Sequence, residues 1–321
     1  MERGREPQDD GFPARDCRRF ACVPEVMIGM PSLELLLQAA VSGVLTGGIY
    51  ALVALSLALV FGVMRVLNFA HGDLLMIAMY AVVVLNHQFG LSPYLAAIVI
   101  VPVMGLFGAL LFRIVIRPVL GTSPLMQAQL TIGVSFVIQS AVLMVFGADL
   151  LNASSSFGAT AYRIGGIVIG LGQLAGFIVS LLVCGLLSAF LTMTEAGHRI
   201  RATAQDPTMA WLCGVDVKRT QLMVFAGCIA ILAIPAGCLM AFTYVTPSAG
   251  IRLSLLSLLV VVLGGLGDLR GAFAGGLIIG LIESLASALL NNPASPSLTY
   301  LVFGAALLFR PRGLFGRGSN A

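Results

Sequence analysis

The sequence predicts an all-α chain: a polytopic transmembrane helical bundle of about eight to ten spans. Three observations carry that expectation. Of the 321 residues, 59% are hydrophobic and only 10% are charged, with a mean hydropathy of +1.01; an ordinary soluble domain carries roughly 25% charged residues. Apolar runs of about 20 residues, the length at which a helix crosses the hydrocarbon core, recur along most of the chain. The runs are continuous rather than alternating, which argues against a β-barrel and for helices that satisfy their own backbone in lipid.

Residues 1–32 are polar, mixed in charge and rich in turn formers, and are expected to form a disordered N-terminal tail. No apolar segment follows a cationic start closely enough to make a cleavable signal peptide. Met27 and Met30, just before the first span, offer alternative translation starts. The first apolar run, Leu33 to Met64, is long for one crossing and is interrupted by Gly43, Gly47 and Gly48, so it is either tilted or kinked. After Arg65 comes V-L-N-F-A-H-G-D (Val66 to Asp73), then runs from Leu74 to Leu85, Leu91 to Phe112, and Pro124 to Phe146. The polar segment Gly147 to Arg163 reads as an exposed loop, followed by a run from Ile164 to Thr192. Beyond residue 220 the runs are Gln221 to Thr243, Leu253 to Leu266, Ala272 to Leu290 and Leu298 to Phe309. Leu253 to Leu266 is short for a crossing and is expected to be a broken or re-entrant helix.

Charge sets the orientation. Cytoplasmic loops collect Lys and Arg. Nine crossings with the N-terminus outside put Arg65, Arg113, Arg117, the Arg199 to Arg219 group, Arg270, Arg310, Arg312 and Arg317 on the cytoplasmic side, leaving Arg163 and Arg252 outside. Eight or ten crossings remain open, because the first run and the two short ones are ambiguous. The formal net charge of +4 therefore reads as topology and not as nucleic-acid affinity.

Between two apolar runs lies the charged interruption Glu195 to Thr220, which holds the only lysine, Lys218, and the only tryptophan, Trp211. Asp206 suits an N-cap, Pro207 a first helical position, and Gly214 the left-handed residue that closes a helix. They bracket a helix from Pro207 to Cys213, about 10 Å long. Two turns do not hold themselves folded in water, and Met209 with Leu212 offers a small apolar face in want of a partner. Two readings stand: a docking peg, or an amphipathic loop lying on the membrane surface.

Polar groups inside spans cost several kcal/mol unless partnered, so Asn68, His71, Asp73, Gln127, Gln129, Gln139 and Glu283 are candidates for lining a path. Asp73 has the alternative of capping the helix that follows, Asn68 and His71 of satisfying their own turn, and Gln127 and Gln129 of sitting in the solvated interface. The four residues taken forward as a candidate path are Asn68, His71, Gln139 and Glu283. Gly267, Gly271 and Gly275 lie four apart, as do Gly276 and Gly280, forming small-residue faces that let helix backbones approach. Such faces suit packing within the bundle and also the meeting of two membrane subunits.

Several chemistries have no residues to stand on. The sole lysine follows V-D-V and not a glycine, so no phosphate-binding loop of the Walker type exists. There is no H-E-x-x-H and no G-x-S-x-G. The six cysteines form no C-x-x-C pair, so neither a zinc site nor a disulfide frame is indicated. No catalytic residue and no metal site is expected, and the chain is not expected to be an enzyme.

Four blocks go further than composition. They are G-G-I-Y-A-L-V-A-L-S-L-A-L-V-F-G-V-M-R-V-L-N-F-A-H-G-D-L-L-M-I-A-M-Y (Gly47 to Tyr80), R-A-T-A-Q-D-P-T-M-A-W-L-C-G-V (Arg201 to Val215), V-L-G-G-L-G-D-L-R-G-A-F-A-G-G-L-I-I-G-L-I-E (Val262 to Glu283) and P-R-G-L-F-G (Pro311 to Gly316). In order, over residues 33–316, the chain resembles the branched-chain amino-acid ATP-binding cassette (ABC) importer permeases, the smaller of that system's two membrane subunits. The first block is specific to that family and its urea and amide-transporting relatives; the glycine block is shared more widely among importer permeases.

The resemblance implies a permease domain over 33–316 with a C-terminal tail at 317–321, multi-pass in the cell inner membrane and embedded in the lipid bilayer. It implies a second permease subunit, two cytoplasmic ATPase subunits that bind the ATP, a periplasmic substrate-binding protein, and no cofactor on this chain. Residues 195–220 then correspond to the family's coupling loop, with Arg201, Ala202, Ala204, Asp206, Met209, Ala210, Leu212 and Gly214 as the residues that couple to the ATPase. Arg270 departs from the pattern, standing where relatives often carry proline or a small residue, and the long polar N-terminus is atypical. The alternatives are an importer permease for urea or short-chain amides and a stand-alone ion-coupled carrier in which Glu283, Asp73 and His71 bind the ion. A third, a membrane scaffold, predicts no uptake defect on deletion.

Overall fold

A computed structural model describes residues 33–153, 160–164, 167–290, 299–301, 304, 305 and 308. The predicted N-terminal tail, the P-R-G-L-F-G block, the tail at 317–321 and half of the last apolar run lie outside the described residues.

The helices follow the apolar runs. They are α1 (Leu33–Met64), α2 (His71–Phe89), α3 (Pro93–Leu111), α4 (Arg117–Val119), α5 (Pro124–Phe146), α6 (Leu171–Met193), α7 (Glu195–Gln205), α8 (Pro207–Leu212), α9 (Val217–Ile231), α10 (Ala233–Met240), α11 (Ala249–Gly264) and α12 (Leu269–Leu290). A π-helical turn, Phe112–Ile116, joins α3 to α4. It precedes Pro118, which has no N–H for the normal ladder, and the Arg117 N–H reaches back to the Phe112 carbonyl. Pro235 breaks the helix in the same way between α9 and α10, because it cannot donate to Ile231 four residues back.

Among the described residues, seven helical stretches are long and apolar enough to cross a membrane: α1, α2, α3 through α4, α5, α6, α9 with α10, and α12. α11, with 16 residues, is the shorter apolar helix expected from the run at Leu253 to Leu266. The chain is a multi-pass helical membrane protein.

α1 is the central post, packed against α6, α9, α10, α11 and α12. Ile49, Leu52, Ala54 and Ala58 along it are wholly buried. α12 runs antiparallel to α1 with backbones almost touching. A Cβ added at Gly276 would collide with the Ala51 backbone, and one at Gly280 with Gly47 and Gly43. The other small face of α12 meets α11: Gly271 abuts the Gly264 backbone, and a Cβ at Gly275 would sit 2.7 Å from the Val260 carbonyl. Both glycine faces are thus filled within this chain. Gly267 differs from its expected place on the helix face. It lies in the turn before α12 with φ +83°, and it approaches Gly62 near the end of α1.

The predicted loop at Gly147 to Arg163 carries short strands. β1 (Leu151–Asn152) pairs antiparallel with β4 (Tyr244–Val245), and β2 (Ala161–Ile164) with β3 (Ile167–Gly170). The two ribbons lie at one end of the bundle, where Gln38, near the start of α1, also exchanges hydrogen bonds with the Val168 backbone at 2.7 Å each way.

Candidate functional site

α1 ends at Met64, and Arg65 follows with φ +54°, a non-glycine residue whose N–H still bonds to the Phe61 carbonyl at 2.7 Å. The chain then turns back into the bundle. Residues 65–70 are not helical, yet Val66, Asn68 and Ala70 are buried. Irregular backbone at such depth is tolerated where protein covers it. Asn68 Oδ1 accepts from the Ala70 N–H at 3.1 Å, and α2 begins at His71, wholly buried beside the middle of α1.

Ser56 and Val53 hold the His71 ring. The Ser56 hydroxyl donates to the Val53 carbonyl at 2.7 Å, so its proton is committed. His71 Nε2 lies 2.9 Å from Ser56 Oγ and 3.2 Å from the Val53 carbonyl. It is therefore the protonated nitrogen, donating to both, and Nδ1 is left as an acceptor. Among the described residues that Nδ1 has no partner, and neither has the Asn68 amide nitrogen. Buried polar atoms without partners are uncommon in native proteins, and here two fall within four residues.

Asp73 does not cap α2. It occupies the first turn and points across to α5, where Ser135 Oγ donates to Oδ2 and Gln139 Nε2 to Oδ1, the latter at 2.9 Å. Gln139 also donates to Ser135 Oγ at 2.9 Å, so the three groups close on themselves. Ser135 lies midway along the 23-residue α5, which places the start of α2 about halfway through the bundle. α11 begins at the same level. Ser254 Oγ accepts from the Gly72 N–H at 2.8 Å, and a Cβ at Gly250 would collide with the Asp73 carboxylate. Two helices, α2 and α11, thus start inside the bundle with their first turns in contact. Helices that begin at mid-depth are where transporters commonly place small-solute sites.

Of the four predicted path residues, Asn68, His71 and Gln139 converge on this seam. Glu283 does not: it accepts from the Tyr50 hydroxyl between α1 and α12, with Arg252 of α11 as the nearby cation. Sequence reasoning did not single out Ser56, Ser135 or Ser254. A signal existed for Ser135, which stands four residues before Gln139 and so shares its helix face. Gln127 donates to the Val119 and Thr122 carbonyls and closes the turn before α5. Gln129 is exposed.

The charged interruption folds as the α7–α8 pair. Thr194 caps α7, its hydroxyl accepting from the Gly197 N–H at 3.0 Å. Asp206 caps α8, its Oδ1 accepting from Thr208 N–H at 2.8 Å and Met209 N–H at 3.1 Å. α8 closes one residue sooner than Cys213, and Gly214 follows in the left-handed region with φ +85°. Ala210 is buried and anchors the helix, while Met209, Trp211 and Leu212 are 60%, 66% and 66% exposed. Arg201 is exposed on α7, with Ala202 and Ala204 half-buried on its inner side. Arg199 pairs with Glu195 at 3.5 Å. Arg270 sits in the first turn of α12 with its side chain exposed, and its N–H donates to Asp268 Oδ1 at 2.9 Å, so an arginine is accommodated there without strain.

Comparison with known proteins places these features in context. Residues 39–310 match the family described as the branched-chain amino acid transport system permease component. The chain is 30% identical over 306 residues to the high-affinity branched-chain amino acid transport system permease protein BraD of Pseudomonas aeruginosa, covering 90% of this chain and 98% of that protein. It is 29% identical to the corresponding LivH protein of Escherichia coli, covering 88% and 96%. It is 27% identical to a probable branched-chain amino acid transport permease protein LivH of Methanocaldococcus jannaschii, covering 85% and 90%. No solved structure matches.

Proposed function

We propose a specific transport role on one premise: this chain belongs to the family of branched-chain amino acid transport system permease components. It is the membrane-spanning permease subunit of an ABC importer that carries branched-chain amino acids inward across the cell inner membrane. It supplies the route and hydrolyses nothing itself. ATP is bound by separate cytoplasmic ATPase subunits, a second permease completes the pore, and a periplasmic binding protein delivers the solute.

The observation that carries the coupling is α8. A two-turn helix, capped at both ends and anchored by Ala210, presents Met209, Trp211 and Leu212 to the outside. Such a helix has too few turns to be stable alone and too much exposed apolar surface to be left without a partner. Seated in a groove of the ATPase, it transmits closure of the nucleotide-binding subunits through α7 and α9 to the spans. The seam at Asn68, His71, Asp73, Ser135 and Gln139 is the part of the route where polar groups meet a small polar solute at mid-depth. Rigid-body motion of α2 and α11 about their touching first turns would open it to one side or the other.

Uptake of radiolabelled leucine by cells expressing the complete system tests this reading. Depletion of ATP with the ion gradient preserved should stop uptake. Continued uptake would assign the chain to gradient-driven carriers instead.

A further inference from the structure

At the end of the bundle where the cations collect, a groove of about 480 Å³ opens between the π-helical turn and the start of α9, lined by Phe112, Arg113, Arg117, Lys218, Arg219 and Leu222. Four of the six lining residues are cations and none is acidic. The floor is apolar: Phe112 is buried and packs at a tilt against Phe225 with ring centroids 5.7 Å apart. The two nearest carboxylates along the chain are engaged locally, Asp216 accepting from the Arg219 N–H at 3.0 Å and Asp206 capping α8. The cations therefore face the groove without a counter-charge from the residues that line it.

A second feature ends beside the groove-lining Arg113 in the chain. Val99, Val103, Leu106, Leu110 and Ile114 are 51%, 62%, 74%, 55% and 64% exposed and recur at helical spacing, forming one apolar stripe along α3 and into the π-helical turn. From Val99 to Ile114 the stripe is about 22 Å long at 1.5 Å per residue. That exceeds half of the roughly 30 Å hydrocarbon core.

We infer that this groove binds the phosphate of an anionic phospholipid, with Arg113, Arg117, Lys218 and Arg219 around the headgroup and an acyl chain along the α3 stripe. The arginines are suited to a phosphodiester because the guanidinium donates in a planar fork. A basic recess between helices at the cytoplasmic surface is the physical form such headgroup sites take. A soluble phosphate would use the cations and leave the stripe idle; a protein partner would be expected at α8, whose exposed face is apolar and not cationic. The π-helical turn makes the recess by widening the helix where Arg113 and Arg117 leave it.

The test is native mass spectrometry of the purified full chain, delipidated and then offered phosphatidylglycerol, phosphatidylcholine or inorganic phosphate. Phosphatidylglycerol should be retained in preference to phosphatidylcholine. The Arg117→Gln/Lys218→Gln double variant should lose that preference by about tenfold or more, while the charge-preserving Arg117→Lys/Lys218→Arg variant keeps it. Inorganic phosphate should not displace the lipid. Equal retention of both lipids, or a preference untouched in the double variant, would overturn the proposal. So would displacement by inorganic phosphate, which assigns a free-anion site, or loss of ATPase copurification in the double variant with lipid binding intact, which assigns a protein contact.

Discussion

Gln139 of α5 donates from its side-chain amide to Asp73 of α2 across 2.9 Å, deep in the bundle and 66 residues away in sequence. With Ser135 on the other carboxylate oxygen, this contact ties a helix that crosses the whole bundle to one that begins halfway through it.

Removing the carboxylate strands two donors. Asp73→Ala should lower the thermal midpoint of the purified chain, since an unsatisfied buried polar group costs about 1–3 kcal/mol. The three side chains form one network, so Asp73→Ala combined with Gln139→Leu should depart from additivity by roughly 0.5–3 kcal/mol. Additive losses in that double-mutant cycle would mean that the contact carries no shared energy.

The α1–α12 seam predicts a contrast between glycines. Gly276→Val forces a side chain into the Ala51 backbone, and overpacking of this sort costs roughly 1–3 kcal/mol or more. Gly133→Ala, where nothing lies within 4 Å of the added Cβ, should be close to neutral. Membrane-fraction yield and thermal stability of the isolated chain read the difference. Should Gly276→Val leave the isolated chain intact and only disperse the assembled complex, the glycines would belong to an interface between chains.

Gly214 separates conformational from steric cost. Its φ is +85° and a Cβ there meets nothing, so a β-branched residue is penalised by backbone geometry alone, by roughly 1–2 kcal/mol. Gly214→Val should abolish leucine uptake with the protein still inserted, and Gly214→Asn should retain it, because asparagine tolerates the left-handed region. Uptake unchanged in Gly214→Val would count against the closed geometry of α8.

The cap on α8 gives a graded version of the same test. Asp206→Ala removes an acceptor for two backbone N–H groups and should cost about 0.5–2 kcal/mol of local helix stability. ATPase recovered with the tagged permease should fall in Asp206→Ala and be largely kept in Asp206→Ser. Equal recovery from all three proteins would show that docking does not need a preformed helix.

Much of this was legible in the residues. The run Pro124 to Phe146 coincides with α5, because a proline at its start and a glycine after its end bound an unbroken apolar stretch. α8 falls within one residue of its expected span, since Asp206, Pro207 and Gly214 act locally and no tertiary contact is needed to place them. The depth of α2 was hidden. Val66 to Asp73 shows its polar candidates in the sequence but not its depth, and contacts with Val53, Ser56, Thr131, Ser135 and Ser254, each 15 or more residues away, draw it into the bundle. Pairing of Leu151 and Asn152 with Tyr244 and Val245 was hidden for the same reason, as two-residue strands carry no local period. Glu283 was rightly marked as unusual for its polarity, but its partner Tyr50 on a neighbouring helix, and not the central seam, explains how it is satisfied.

Coupling of the proposed kind requires α8 to face the cytoplasm and bear on an ATPase, and the protein carries its own reporter there. Cys213, beside Gly214, is exposed, whereas Cys184, Cys228 and Cys238 are buried. With Cys17 and Cys22 changed to serine, a membrane-impermeant maleimide should label Cys213 in inverted vesicles but not in intact spheroplasts, and bound ATPase should slow that labelling. Modification from the outer side, or a rate indifferent to the ATPase, would contradict coupling through α8.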